Sequence, residues 1–302
     1  MLTRLFDGEG RGSKNATKKF IRKIKDLEPD LVILHNLHGY YLNLSRIAEY
    51  LHKVSESGVK IIWRIHDLAP LTGHCAFFPG EDCKFLSEGC GKCPMRAAYP
   101  KSFVDRSRKN LARRRRILEK IIPQIEITCV SQWLSHRVRN SFLGKARKIE
   151  VVYPQVEPEF KPGEAKAGFV FTAASPWQKW KGYHELFELR RLIPEEIPMV
   201  VAGASKQQAK QLKKHGIIPV GRIDSSKEMA WYISRASVVV NPSHAESYGL
   251  LQREAIACDT PYAGYELPPS LENLQSPHPE LRFVLRGDVQ RLAENVIELF
   301  RK

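Results

Sequence analysis

Eight short apolar runs, separated by amphipathic stretches, limit this 302-residue chain to a few architectures. In the first half they are Leu31–Leu34, Lys60–Ile65, Ile125–Val130 and Ile149–Val152. In the second half they are Gly168–Ala173, Pro198–Val201, Ile217–Val220 and Ser237–Val240. Strands that alternate with helices are the pattern of βα units, because parallel neighbours need a crossover long enough to hold a helix. The stretch Tyr153-Pro-Gln-Val-Glu-Pro-Glu-Phe-Lys-Pro-Gly163 carries three prolines and a glycine, the composition of a linker. The expected fold is α/β, with two Rossmann-like domains at 1–157 and 158–302 facing across a cleft. Ligands of such sheets bind outside the carboxyl ends of strands, and His66, Ser175 and Glu246 each follow a predicted strand.

The chain is long enough for two sizeable cores. No apolar run approaches the ~18 residues of a membrane span, and Met1 to Lys25 lacks the apolar core of a signal peptide. These features point to the cytoplasm, with the inner membrane face as a second station. Residues 1–150 hold 29 Lys and Arg against 15 Asp and Glu, whereas residues 151–302 hold 19 against 18. Much of the excess lies in Lys14 to Lys25 and in Arg106-Ser-Arg-Lys-Asn-Leu-Ala-Arg-Arg-Arg-Arg116. A solvated helix face accounts for such charge, and so does an anionic membrane surface carrying a lipid-linked acceptor. Nucleic acid is a weaker reading, since no interleaved aromatic platform or binding motif accompanies the charge.

Glu246 and Glu254 lie eight positions apart, the first in the loop after Val238–Val240 and the second on a predicted helix from Gly249 to Cys258. A helix start at Gly249 offers free N–H groups to a diphosphate. Glu254 lies roughly 7 Å further along at 1.5 Å per residue, about the distance from a phosphate to ribose hydroxyls. Two solvated acids beside an ordinary core helix would show the same spacing. Lys181, at a strand-to-helix turn, has the placement of a point cation for phosphate. Cys75, Cys83, Cys90 and Cys93 fall within 19 positions and end in Cys90-Gly-Lys-Cys93. That spacing suits a structural zinc site, with free thiols as the other reading. Phe77 to Gly80 reads as an irregular excursion within a cysteine-rich insertion at 72–94.

Glu246 through Glu254 resembles the E-x7-E motif of retaining GT-B glycosyltransferases of the family 4 type. His35-Asn-Leu-His-Gly-Tyr-Tyr-Leu-Asn43, Trp63-Arg-Ile-His-Asp67, Thr72-Gly-His-Cys75, Tyr99-Pro-Lys-Ser102 and Ala174-Ser-Pro-Trp177 with Lys181-Gly182 resemble its colanic-acid branch. That branch builds bacterial exopolysaccharide or lipopolysaccharide. The resemblance implies sugar transfer with retention from a UDP- or GDP-sugar to a saccharide or lipid-linked saccharide acceptor, without a catalytic metal. It implies that His66, Glu246 and Lys181 act on the donor sugar and leaving diphosphate. It places Ser175, Lys181, Arg222, Ser247, Tyr248, Gly249, Leu250 and Glu254 around the nucleotide. The alternative is a weak or inactive sugar-nucleotide-binding scaffold of the same descent.

The pattern departs from the family in places. Asp259-Thr-Pro261 replaces Gly-Thr-Pro, Gly264-Tyr-Glu-Leu-Pro268 replaces a Gly-Gly loop, and Tyr153-Pro-Gln155 replaces Tyr-Asn-Gly. Relatives carry a strand, a glycine-rich loop and further βα units before the equivalent of Leu2. The N-terminal domain is therefore read as truncated and incomplete, with an open strand edge at or near Leu31–Leu34 and weakened activity.

Overall fold

The computed structural model describes residues 10–38, 41–76, 83, 89–97, 101–163, 165–272, 274 and 279–302. The Phe77 to Gly80 excursion lies outside them. The chain divides into two compact units, Met1–Tyr153 and Pro154–Lys302.

In the first unit the apolar runs become β1 (Leu31–Leu34), β2 (Lys60–Ile65), β3 (Glu126–Cys129) and β4 (Lys148–Val151). All pair in parallel, in the order β1-β2-β3-β4. Its helices are α1 (Lys14–Lys25), α2 (Leu44–Glu56), α3 (Ser107–Leu118) and α4 (Gln132–Arg139). Helix α2 buries Leu44, Ile47, Ala48, Tyr50 and Leu51, the three-and-four spacing of one face, and packs between α1 and α3. Asn43 caps it by accepting the Arg46 N–H at 3.2 Å. The same residue binds Thr17 Oγ1 through its own N–H at 2.8 Å, which ties α1 to α2. Among the described residues β1 pairs only with β2, and Leu31 and Ile33 stand 45% and 52% exposed.

The second unit has a six-stranded parallel sheet. Its strands are β5 (Val170–Ala173), β6 (Met199–Ala202), β7 (Ile218–Pro219), β8 (Val238–Asn241), β9 (Tyr262–Tyr265) and β10 (Leu281–Val284). Its helices are α5 (Glu185–Leu192), α6 (Lys206–Lys214), α7 (Ser226–Arg235), α8 (Leu250–Ala257) and α9 (Val289–Phe300). Val238 and Val240 join a cluster with Leu186 and Leu189 of α5 and Leu292 and Val296 of α9. Val239, pointing the other way, joins Phe171, Ala230 and Ile233 of α7 and Ala255 of α8. The strand period of two thus feeds two cores, one on each face of the sheet.

Strands β9 and β10 were not among the eight predicted. The Gly264 segment, read as a loop, lies in β9. Its burial comes from a place between β8 and β10, which no local signal announces.

The strand order β10-β9-β8-β5-β6-β7 matters for function. The chain runs outward from β5 to β7, then returns to lay β8 against the other side of β5. The connections after β5 and β8 therefore leave in opposite directions and open a crevice between them. This is the topological switch point where parallel α/β sheets take ligands.

Candidate functional site

A pocket of about 220 Å³ occupies that switch point. Ser175 and Lys181 line it from the segment after β5, and Asn241 and Glu246 line it from the end of β8 and the loop that follows. Leu250 and Glu254 add the first turns of α8, and Ile223 closes another wall. Sequence positions 175 to 254 are thus drawn together by topology, not by proximity in the chain.

Gly182 sets how closely the two loops meet. It adopts a left-handed φ of +78°, and a Cβ placed there would stand 2.2 Å from the Pro242 carbonyl oxygen. Only glycine allows this approach without displacing backbone. The contact brings Lys181 Nζ to 2.7 Å from Glu246 Oε1, with side chains 21% and 11% exposed. Asn241 Nδ2 donates to the same carboxylate oxygen at 3.4 Å, and the Lys181 ammonium lies 4.7 Å from the Trp180 ring centre. A cation is therefore held at the pocket wall by a partner that an incoming anion can replace.

Helix α8 starts after Gly249, which takes φ +83° as its N-cap. The first N–H groups of the helix have no intrahelical acceptor, and the dipole makes this end positive. Glu254 lies one turn further in. Burial pushes its carboxyl up to about 7, and the nearby Glu157 charge adds to the effect. A buried carboxylate without a cation partner is costly, and hydroxyl or N–H donors entering the pocket would relieve it.

The remaining predicted residues divide. Ser247 and Tyr248 precede α8 but do not line the pocket, and Tyr248 is buried beneath the Arg253 guanidinium, 5.0 Å from the ring centre. Arg222 also stays outside. Its Nε donates to Asp224 Oδ1 at 2.5 Å with both side chains 72% exposed, so solvent competes for it and Ile223 takes the wall position. Sequence reasoning missed His244, which does not line the pocket but joins the loops behind it: its ring lies 2.5 Å from Glu185 Oε1, and its backbone N–H donates to the Trp180 carbonyl at 2.9 Å. Burial opposes charge on Glu185, but the His244 hydrogen bond and neighbouring groups leave its carboxyl below the usual range. The two residues are 59 positions apart, and nothing in the sequence links them.

His66 belongs to the first unit, at the carboxyl end of β2. Its Nε2 stands 2.8 Å from His35 Nδ1, with the rings stacked at 5.1 Å. One nitrogen of that contact donates and the other accepts, so the pair cannot be protonated at both. Burial, His35 and Arg64 all lower the His66 pKa, which keeps the ring neutral near pH 7. His38 lies 3.7 Å from Asp67, whose carboxyl is raised by burial against the pull of His38, the Ala69 N–H and Arg114.

The cysteine expectation is corrected. Among the described residues, no three His, Cys, Asp or Glu side chains come together as a group able to hold a metal ion. The four cysteines are free thiols that share a neighbourhood, with Cys83, Cys90 and Cys93 all close enough to Cys75 to act on it electrostatically. Cys75 is buried and its thiol is hydrogen-bonded to Cys93, which drives the Cys75 thiol well up and brings Cys93 down to about 7. Cys90 Sγ accepts the Gly73 N–H at 3.1 Å. The spacing brings the thiols near one another, but among the described residues not into a geometry that could hold a metal ion.

Parallel α/β sheets, with the switch-point pocket in the second unit, define the class. The fold is that of GT-B glycosyltransferase structures. Sucrose-phosphate synthase from Thermosynechococcus elongatus superposes with a TM-score of 0.64 at 16% identity, over 95% of this chain and 69% of that one. Anabaena HepE in complex with UDP and glucose gives 0.60 at 15%, over 93% and 71%. The pneumococcal O-GlcNAc transferase GtfA in complex with UDP and GlcNAc gives 0.62 at 13%, over 95% and 53%. In sequence, residues 166–302 match the family described as glycosyl transferases group 1. The putative colanic acid biosynthesis glycosyl transferase WcaC of Escherichia coli (strain K12) is 32% identical over 123 residues. That alignment spans 40% of this chain and 29% of WcaC, so the chain spans about three tenths of the curated relative it matches.

Among the described residues, no helix is long and apolar enough to cross a membrane.

Proposed function

We propose that the second unit binds a nucleotide sugar and that the protein transfers the sugar to a saccharide or lipid-linked saccharide acceptor in bacterial polysaccharide synthesis. The observation that carries this reading is the switch-point pocket, where one lysine, two carboxylates and a helix start converge beyond the carboxyl ends of β5 and β8. HepE and GtfA, which share the fold, are seen with UDP, so UDP is the first ligand to test. In this reading the diphosphate sits against the start of α8 and takes Lys181 from Glu246. The released Glu246 carboxylate is then available to donor-sugar hydroxyls, and Glu254 accepts from the ribose.

Departure of the nucleoside diphosphate leaves oxocarbenium character on the sugar. Lys181 and the α8 N–H groups stabilise the negative charge that develops on the leaving phosphate, and they do so from fixed positions. Neutral His66 is proposed, on the resemblance, as a hydrogen-bonding group for the sugar. Retention follows from the same resemblance: no protein nucleophile is assigned, and the leaving phosphate takes the acceptor proton on the face it departs from.

Titration calorimetry with UDP and GDP tests the binding step. Lys181→Ala and Glu254→Ala are each expected to weaken UDP by about 10- to 100-fold, the loss of one charge-assisted hydrogen bond. Absence of UDP and GDP binding by the unaltered protein would discard the reading. Incubation with a UDP-sugar and saccharide acceptors, with the product anomer read by proton NMR, separates a retaining transferase from a binding protein.

A further inference from the structure

The charge imbalance between the halves of the chain is not used by the nucleotide pocket. Helix α1 carries Lys14, Lys18, Lys19, Arg22, Lys23 and Lys25 and no acidic residue. All six side chains are exposed, and among the described residues none lies in an ion pair. Asp26, Glu28 and Asp30 follow in the turn after the helix, and in sequence Asp7 and Glu9 precede it.

Apolar side chains accompany this charge where a water-facing helix would not place them. Thr17, Ile21 and Ile24 form the inner face of α1, yet Phe20 is 46% exposed and Leu27, just past the helix end, is 77% exposed. At 100° per residue, Ala16, Phe20, Lys23 and Leu27 fall on one outward strip. On the far side of α2, α3 repeats the combination. Arg108, Lys109, Arg115 and Arg116 are exposed there, while Arg114 turns inward to the Ala69 and Thr72 carbonyls. Phe103 and Val104, immediately before it, are 65% and 42% exposed.

We propose that α1, seconded by α3, is the surface by which this protein lies on an anionic phospholipid bilayer. Basic side chains meet lipid phosphates while their methylene stems, Phe20 and Leu27 enter the interfacial layer. Charge complementarity selects this occupant: two acid-free basic helices with exposed aromatic residues match a negative, partly apolar surface. A protein groove would require apolar area without such charge. A nucleic acid would require an interleaved aromatic platform, and α1 has one ring in twelve residues.

The test is co-sedimentation with phosphatidylcholine vesicles, with and without phosphatidylglycerol. Binding is expected only with the anionic lipid, and it should fall as salt rises above about 0.1 M, where the Debye length is ~10 Å. Each basic residue near lipid contributes about fivefold in partitioning, so Lys18→Glu/Lys19→Glu/Lys23→Glu should lower it at least a hundredfold. Phe20→Ser should remove the part of binding that survives high salt. The charge-matched control on α6, Lys206→Glu/Lys210→Glu/Lys213→Glu, should change little. Equal binding to both vesicle types, or loss with the α6 control and not with α1, would overturn the proposal. So would tighter retention on duplex DNA or RNA than on anionic vesicles at the same salt. The proposal does not rest on the nucleotide-sugar reading: UDP affinity of the α1 variant, measured in parallel, should match the unaltered protein.

Discussion

The two units use the same βα grammar and differ in what their sheets cover. In the second unit, β5, β6, β8 and β9 are central strands, clad on both faces and nearly inaccessible to water. In the first, among the described residues, the sheet runs in one direction from β1 to β4 with no switch point, and β1 is half-exposed at its edge. A switch point requires strands on both sides of the first one laid down. Only the second unit shows that arrangement, and it is the unit that holds the pocket. Burial and pocket thus arise together from strand order.

Substitutions can break this contrast. The largest effect is expected at Phe171, which is fully buried at the centre of the second sheet. Phe171→Ala should cost about 4 kcal/mol, read as faster amide exchange in β5, β6 and β8 by hydrogen-exchange mass spectrometry. Ile33→Ala on β1 should cost less than about 1 kcal/mol, because half of that side chain already meets water. Comparable costs at both positions would show that the edge strand is covered and the contrast false.

Gly182→Ala comes next, at about 3 kcal/mol. It combines a left-handed backbone position with a Cβ overlapping the Pro242 carbonyl. Urea unfolding should show the loss, and UDP affinity should fall with it. An unperturbed pocket in this variant would mean that the loops are not in contact.

Glu254→Gln sharpens the comparison by separating stability from binding. The folded-state carboxyl titrates at about 7, above the ordinary value near 4.5. Below pH 4.5 both folded and unfolded chains hold the proton, so the group is neutral in effect. Between 4.5 and 7 the unfolded chain releases it first, and stability falls as pH rises. Above 7 the loss is complete, at about 3 kcal/mol. The variant should therefore be more stable than the unaltered protein by that amount at pH 8 and no different at pH 4. UDP affinity should rise with pH through 7 in the unaltered protein and lose that component in the variant.

Much of this architecture can be read from the chain. Runs such as Val238 to Val240 are apolar because both of their faces are covered, so their strand state is written locally. That Glu246, Glu254 and Lys181 would line one pocket could be anticipated because each lies in the segment leaving the carboxyl end of β5 or β8. Tyr262–Tyr265 was not, since its glycine and neighbouring prolines resemble a loop, and its burial depends on strands far away in sequence. The resemblance placed Arg222 at the nucleotide; in the structure it bonds Asp224, two residues later, outside the pocket lining. The cysteine spacing showed that the thiols would be neighbours, and the structure pairs Cys75 with Cys93. Distance between side chains is a tertiary quantity, and spacing along an irregular segment does not fix it.

The Gly182–Pro242 contact carries a further consequence. Gly182 leaves the two loops no room to close further, and the His244 backbone N–H bonded to the Trp180 carbonyl at 2.9 Å opposes their parting, so an ill-fitting ligand can open the pocket at that seam only by breaking that bond. Discrimination at this wall should therefore appear as slow or absent association of the wrong ligand, not as loose binding followed by rearrangement. A library that varied Ser175, Ile223 and Leu250 while keeping the glycine would be sampling new shapes cut into an unchanged mould.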